Sequence, residues 1–256
     1  MSAGRLVYGL HAVTAVLKRR PQGVLEVLLD PRRSDPRARR IAELARAAGV
    51  RVQDADAARL EGFARGGRHQ GVAAFVEDAA PAMSVDEVLE DLAEPALLLV
   101  LDGVQDPHNL GACLRVADAL GAQAVLAPRD RATGINATVR KVASGAAETV
   151  PFLAVTNLAR ALRELKDKGI WIVGAAGDEG GSLYEARFSG PLALVLGAEG
   201  EGLRRLTRET CDELVRIPML GEVESLNVSV AAGICLYEAR RQRAAAVKPL
   251  TARQNG

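Results

Sequence analysis

The sequence predicts an α/β protein of two domains, a small mixed module followed by a larger doubly wound one built on a parallel sheet. Three observations predict it. Along residues 95–243 continuous apolar runs alternate with helical stretches, the pattern of strands covered by helices on both faces. Residues 1–77 show a shorter alternation with a different charge balance. Between them, residues 78–94 hold six acidic and no basic residues among Pro and Ala, and read as a linker. With 256 residues and 48% hydrophobic composition, the chain can bury a core without a disulfide or metal, and disorder is excluded.

Taken in order, residues 9–17 have helical periodicity and run into Lys18, Arg19 and Arg20, which suit a helix C-terminus. Val24 to Leu29 is a short β-type run. Pro36 to Ala48 reads as a helix stopped by Gly49. Val50–Val52 and Gly71–Val76 complete a module of 1–77. The linker carries a candidate helix from Val85 to Leu92, ended by Pro95. In the larger domain the strand candidates are Ala96–Leu101, Gln123–Ala127, Ile170–Gly174, Leu192–Gly197 and Glu213–Ile217. Helices are expected at Leu110–Leu120, Ile135–Ala143, Asn157–Lys168, Leu203–Glu209 and Val228–Arg243. Residues 244–256 read as a frayed tail.

The formal charge of +1 conceals a distribution: 1–77 carries +6, 78–94 carries −6, and 95–243 carries −1. A basic front module points to nucleic acid, although an arginine-rich composition, with only five lysines among 33 cations, could also produce it. Cys113, Cys211 and Cys235 are isolated, without zinc spacing, and read as free thiols of a reducing compartment. The longest apolar run, Ala96–Leu101, is too short to span a bilayer, and no signal peptide is read at the N-terminus. A soluble, cytoplasmic protein is expected.

Ligands of open α/β sheets bind beyond the carboxyl ends of the strands, so the loops there carry the chemistry. Three stand out. The first runs from Asp102 through Asp106-Pro107-His108-Asn109 to Gly111-Ala112 and Arg115; its small residues allow a backbone or a ligand to come close, and Asn109 alone reads equally as a helix N-cap. The second, Gly197-Ala198-Glu199-Gly200-Glu201-Gly202, is neither a dinucleotide fingerprint nor a P-loop. Its two carboxylates would repel a pyrophosphate, and a neutral or cationic ligand suits it better. The third runs from Ile217-Pro218-Met219 to Ser225-Leu226-Asn227-Val228-Ser229, where a single N-cap accounts for one polar residue but not for three.

In order and spacing these segments resemble the three signature motifs of the SpoU (TrmH) family of RNA ribose 2′-O-methyltransferases, members of the SPOUT superfamily. Tyr8-Gly9-Leu10-His11-Ala12-Val13 and His69-Gln70-Gly71 likewise resemble that family's N-terminal RNA-binding module, a fold like ribosomal protein L30e. The likeness is nearest to the bacterial enzymes that methylate a guanosine of 23S rRNA. It implies a SPOUT methyltransferase domain with a deep trefoil knot, the cofactor S-adenosyl-L-methionine held by Gly197, Ile217 and Leu226, and a homodimer packed through the knotted domains. It implies catalytic roles for Asn109, Arg115, Glu199, Ser225 and Asn227, with no metal. Arg115 stands where the family places a general base. A guanidinium is in general a very weak acid and a poor base, so an electrostatic clamp on the target phosphate and the developing alkoxide is the physically easier role. Arg19, Arg20, Arg32, Arg33, Arg37, Arg39 and Arg40 are candidate phosphate contacts. A non-catalytic RNA-binding protein, or an enzyme acting on tRNA or on an rRNA adenosine, stays open on the same motifs.

Overall fold

A computed structural model of the chain describes residues 4–64, 66–77, 84–90, 92–177, 180–198 and 200–247. Contacts divide it into two units, Met1–Met83 with Ser144–Thr149, and Ser84–Ala143 with Val150–Gly256.

In the first unit the chain forms β1 (Arg5–Tyr8), α1 (Leu10–Arg19), β2 (Val24–Leu29), α2 (Pro36–Ala47), β3 (Arg51–Asp54), α3 (Ala57–Ala64) and β4 (Val72–Val76). The sheet order is β1-β4-β2-β3, with β4 antiparallel to β1 and β2 and with β3 parallel to β2. Asp35 starts α2 by accepting from the amides of Arg37 and Ala38, Pro36 supplies the first helical φ, and Gly49 ends the helix at φ 69°. The stripe Ala38, Ile41, Ala42 and Ala45 is buried. The two segments that resemble the family's module meet here: the Leu10 amide donates to the Gln70 side chain at 3.3 Å and the Gly9 amide to the Val72 carbonyl at 3.1 Å. Arg5 forms a bidentate pair with Glu148, at 2.9 and 2.7 Å.

The second unit opens with α4 (Val85–Leu89), closed by a capping box between Ser84 and Glu87. It continues β5 (Leu97–Asp102), α5 (Pro107–Ala119), β6 (Ala124–Pro128), α6 (Ala137–Ala143), β7 (Phe152–Val155), α7 (Leu158–Asp167), β8 (Trp171–Ala175), β9 (Gly181–Ser182), β10 (Leu192–Gly197), α8 (Arg205–Thr210), β11 (Glu213–Arg216) and α9 (Val228–Val247). All pairings in its sheet are parallel, in the order β7-β6-β5-β10-β8-β11-β9. Every residue of β5 is buried. Each buried Leu or Val contributes about 1.5–3 kcal/mol, while helix propensities differ by under about 1 kcal/mol. Burial therefore overrides the helical preference of this leucine-rich run.

The chain winds outward from β5 to β7, then crosses to β8, and β10 later enters between β5 and β8. The switch point thus lies at β5 and β10, which run in register from Leu97 opposite Leu192 to Asp102 opposite Gly197.

Several boundaries move. The linker helix stops at Leu89 rather than Leu92, and α9 runs to Val247, four residues beyond the expected end. Residues 78–83, 91 and 248–256, within the expected linker and tail, lie outside the described residues. Among the described residues no helix is long and apolar enough to cross a membrane.

Candidate active site

The three motif loops leave the carboxyl edge of the sheet at β5, β10 and β11. A cavity of about 580 Å³ opens there. The chain leaving β8 (175–177), the turn after β10, and Ile217, Ser225 and Leu226 line it. The three residues expected to hold a cofactor, Gly197, Ile217 and Leu226, therefore face one space.

The turn after β10 is closed by its own backbone. The Gly202 amide donates to the Ala198 carbonyl at 2.9 Å. A Cβ at Gly197 would sit 2.1 Å from the carbonyl of Gly202, and Gly200 and Gly202 lie at φ 80° and 63°. The glycine spacing is thus required by chain geometry: one close approach and two left-handed positions. Glu199 lies outside the described residues.

In the first motif the helix cap is Asp106, whose carboxylate accepts from the His108 amide at 2.9 Å, with Pro107 as first helical residue. Asn109 is therefore not the N-cap that it could have been, and its side chain serves elsewhere. What comes close to Gly111 is α6: a Cβ there would lie 2.7 Å from the Val142 Cβ and 2.9 Å from the Val139 carbonyl oxygen.

Asn227 precedes α9 and caps it, its Oδ1 accepting from the Ser229 amide at 2.9 Å and the Ser229 hydroxyl at 2.6 Å. Two donors on that oxygen fix the amide's orientation, so Asn227 Nδ2 points the other way and donates to Asn109 Oδ1 at 2.8 Å. The first and third motifs, 118 residues apart, meet at this bond. Asn109 Nδ2 has no acceptor among the described residues. Ser225 is exposed on the cavity wall. Arg115 is exposed on α5 and no described side chain pairs with it; it is not among the cavity's lining residues.

Glu201, one of the two carboxylates of the second motif, lines the cavity, and so do Arg208 of α8 and Glu224, which were not singled out from the sequence. Asp102, at the end of β5, has a side chain with no exposed surface. A charge that terminates an apolar run was the available signal for Asp102; Arg208 sits among other charged helix residues and gave none.

Of the candidate RNA contacts in the first unit, Arg33 is engaged internally, with Asp35 at 2.7 Å and with the Gln70 carbonyl at 2.5 Å. That guanidinium holds the Asp35 carboxyl below its ordinary range. Arg40 pairs with Glu43 at 3.3 Å, while Arg37 and Arg39 are exposed. The side chain of Arg19 lies outside the described residues.

Residues 96–237 match the model of the SpoU rRNA Methylase family, and residues 6–82 that of the RNA 2′-O ribose methyltransferase substrate binding domain. The chain is 60% identical over 243 residues, 95% of its length and 98% of the relative's, to a 23S rRNA (guanosine-2′-O-)-methyltransferase from Ralstonia nicotianae. It is 52% identical over 246 residues, 95% of its length and 99% of the relative's, to one from Vibrio parahaemolyticus. Among solved structures it is similar to a SpoU methyltransferase from Streptomyces viridochromogenes in complex with AdoMet, with TM-score 0.74 and 27% identity over 94% of this chain and 91% of that one.

Proposed function

The chain belongs to the SpoU rRNA methylase family, and from that premise we infer that it methylates the ribose 2′-hydroxyl of a guanosine in 23S rRNA, with S-adenosyl-L-methionine as methyl donor. The observation that carries the reading to particular residues is the convergence at the switch point, where Asn227 joins the first motif to the third beside the cavity of the second.

The residues present fit the cofactor. A volume of about 580 Å³ falls within the roughly 300–1,000 Å³ of small-molecule pockets. Arg208 faces the space with Glu201 and Glu224, a mixed charge set suited to a ligand that carries a carboxylate, an ammonium and a sulfonium. Backbone at Gly197, Ile217 and Leu226 would hold it. When bound, it supplies a methyl group on a sulfonium, whose C–S bond breaks as the C–O bond to the ribose forms.

The chain's own residues align and activate the hydroxyl. Asn109 Nδ2, oriented through Asn227 and Ser229, donates to the target nucleotide. Ser225 offers its hydroxyl from the cavity wall, and Glu199 takes the catalytic role that the family motif gives it. Arg115 holds the phosphate and stabilises charge on the 2′-oxygen as its proton leaves to solvent. Such positioning contributes up to roughly 7–11 kcal/mol in favourable cases.

The remaining parts follow the family. The segment of Ile217–Ala231 forms the trefoil knot, a reading supported by its place along the wall made by the β8 and β10 loops. The first unit, a mixed sheet with three helices, is the L30e-like RNA reader. Two copies pair through α9 and α5, where Val230, Ile234 and Tyr237 of α9 and Tyr184 after β9 are exposed beside Val116 and Leu120. The enzyme works in the cytoplasm, where its substrate is made. Transfer of tritiated methyl groups to undermethylated 23S rRNA fragments, with tRNA in parallel, tests the function. Label at one guanosine ribose is expected; label in tRNA alone, or in no RNA, overturns it.

A further inference from the structure

Arg204 lies between the loops that follow β5, β6 and β10, and each of them is shaped around it. Its amide donates to Asp102 Oδ2 at 2.9 Å, and its Nε lies 3.6 Å from Asp102 Oδ1, which has no hydrogen bond of its own. Its Nη2 donates to the Arg131 carbonyl at 3.5 Å, at a residue held in the left-handed region with φ 55°. Across Gly103 the guanidinium occupies the place of a side chain, since a Cβ there would lie 2.9 Å from Nη2. The loop that carries Arg131 is tied down on both sides, by Arg129 to the Val155 carbonyl at 2.7 Å and by Thr133 to the Val104 carbonyl at 3.0 Å.

A buried carboxylate is stabilised by a nearby positive charge. Arg204 supplies that charge while keeping 37% of its side chain exposed. Nη1 has no acceptor among the described residues, so part of the fork faces outward. Arg129 and Arg131 are exposed on the neighbouring loop. The cation thus stands at the sheet edge between the loop that leads to Asn109 and the turn that lines the cavity. A planar fork with free donors, pinned at its stem, is built for an oxyanion that arrives from solvent.

We propose that Arg204 is a substrate-contacting residue that binds a phosphodiester of the RNA strand carrying the target nucleotide, and that Asp102 is its positioning residue. The proposal rests on the reading of the chain as an RNA ribose methyltransferase.

Binding of a 23S rRNA fragment is measured against salt concentration for the wild type, Arg204→Gln, which keeps a stem over Gly103, and Arg204→Lys. Arg204→Gln is expected to bind RNA about tenfold more weakly and to lose about one phosphate contact from the slope of log K on log salt. Arg204→Lys is expected to keep the wild-type slope while binding more weakly, because it keeps the charge and loses the fork. The AdoMet dissociation constant, read by calorimetry, is expected to stay within about twofold of the wild type in both. A wild-type slope and affinity in Arg204→Gln would overturn the assignment, and so would a parallel loss of AdoMet affinity, which marks a merely structural role. A wild-type chain that neither binds nor methylates the fragment would instead overturn the underlying reading, so the two failures are distinct.

Discussion

At the scale of the residue, Arg115 is defined by its freedom. Exposed and without a described partner, its guanidinium fork is open to a phosphate and can act as a clamp. Arg115→Ala is expected to lower kcat about 10²–10³-fold, and Arg115→Lys to recover little of this, because an ammonium lacks the fork. The pH–rate profile separates the alternatives: a Lys variant that stays active with an alkaline-shifted profile would show proton transfer by this residue instead. Gly197 makes a different demand. Its Cβ would overlap the Gly202 carbonyl, so Gly197→Ala is expected to abolish AdoMet binding in calorimetry. Gly200→Ala meets no atom within 4 Å and is expected to cost only the left-handed strain, about 1–2 kcal/mol. Asn227 is legible in the sequence because polar residues interrupt an apolar segment, and Asn109 because it stands at a helix start inside a motif that the family shares. Their mutual bond was not, since it depends on Asp106 taking the capping role, and no local pattern settles which of two residues caps a helix.

At the scale of the element, legibility followed burial. β10 has its expected bounds, and β5 and β6 are shifted by one residue, because continuous apolar runs mark strands covered on both faces; β2 also has its expected bounds, although Leu25 is exposed. β1, β7, β9 and α3 were not read. β7 is an edge strand of four residues with Ala154 exposed, β9 has two residues, and α3 buries only Leu60 and Ala64. Such elements are held by their neighbours rather than by local pattern. α9 is anchored by cations. Arg243 is buried and donates to the carbonyls of Pro95, Ala96 and Gly190 at 2.7–2.8 Å, and its burial lowers its pKa. Arg240 forms a bidentate pair with Glu94, at 2.6 and 2.7 Å, which holds the Glu94 carboxyl below its ordinary value. A depressed carboxyl stabilises the fold above the pKa of the unfolded chain, near 4.3, and that contribution is lost as pH falls through the folded value. Glu94 is 44% exposed, so the pair contributes at most about 1 kcal/mol. Glu94→Gln is expected to lower Tm by about 2–4 °C at pH 7, with the difference from wild type closing below about pH 4 in a calorimetric series.

At the scale of the molecule, the net charge of +1 describes neither of its parts. The basic surplus belongs to the first 77 residues, so RNA affinity is expected to weaken with salt while AdoMet affinity does not. The exposed stripe Val230, Ile234 and Tyr237 on α9 predicts the assembly. Sedimentation is expected to give twice the 27.0 kDa chain mass for the wild type and a monomer for Ile234→Glu, because a carboxylate buried at an interface without a partner is strongly unfavourable. The place of β10 in the sheet has a consequence for how the protein is made. β5 leaves the ribosome early, yet its second partner is β10, which follows only after β6, β7, β8 and β9. Throughout that interval β5 presents a strand apolar from Leu97 to Leu101 with the amides and carbonyls of one edge unpaired, the template on which nascent chains aggregate. Synthesis at low temperature or with a chaperone that binds extended apolar segments should raise the soluble yield, and the central sheet cannot close until Gly197 has emerged.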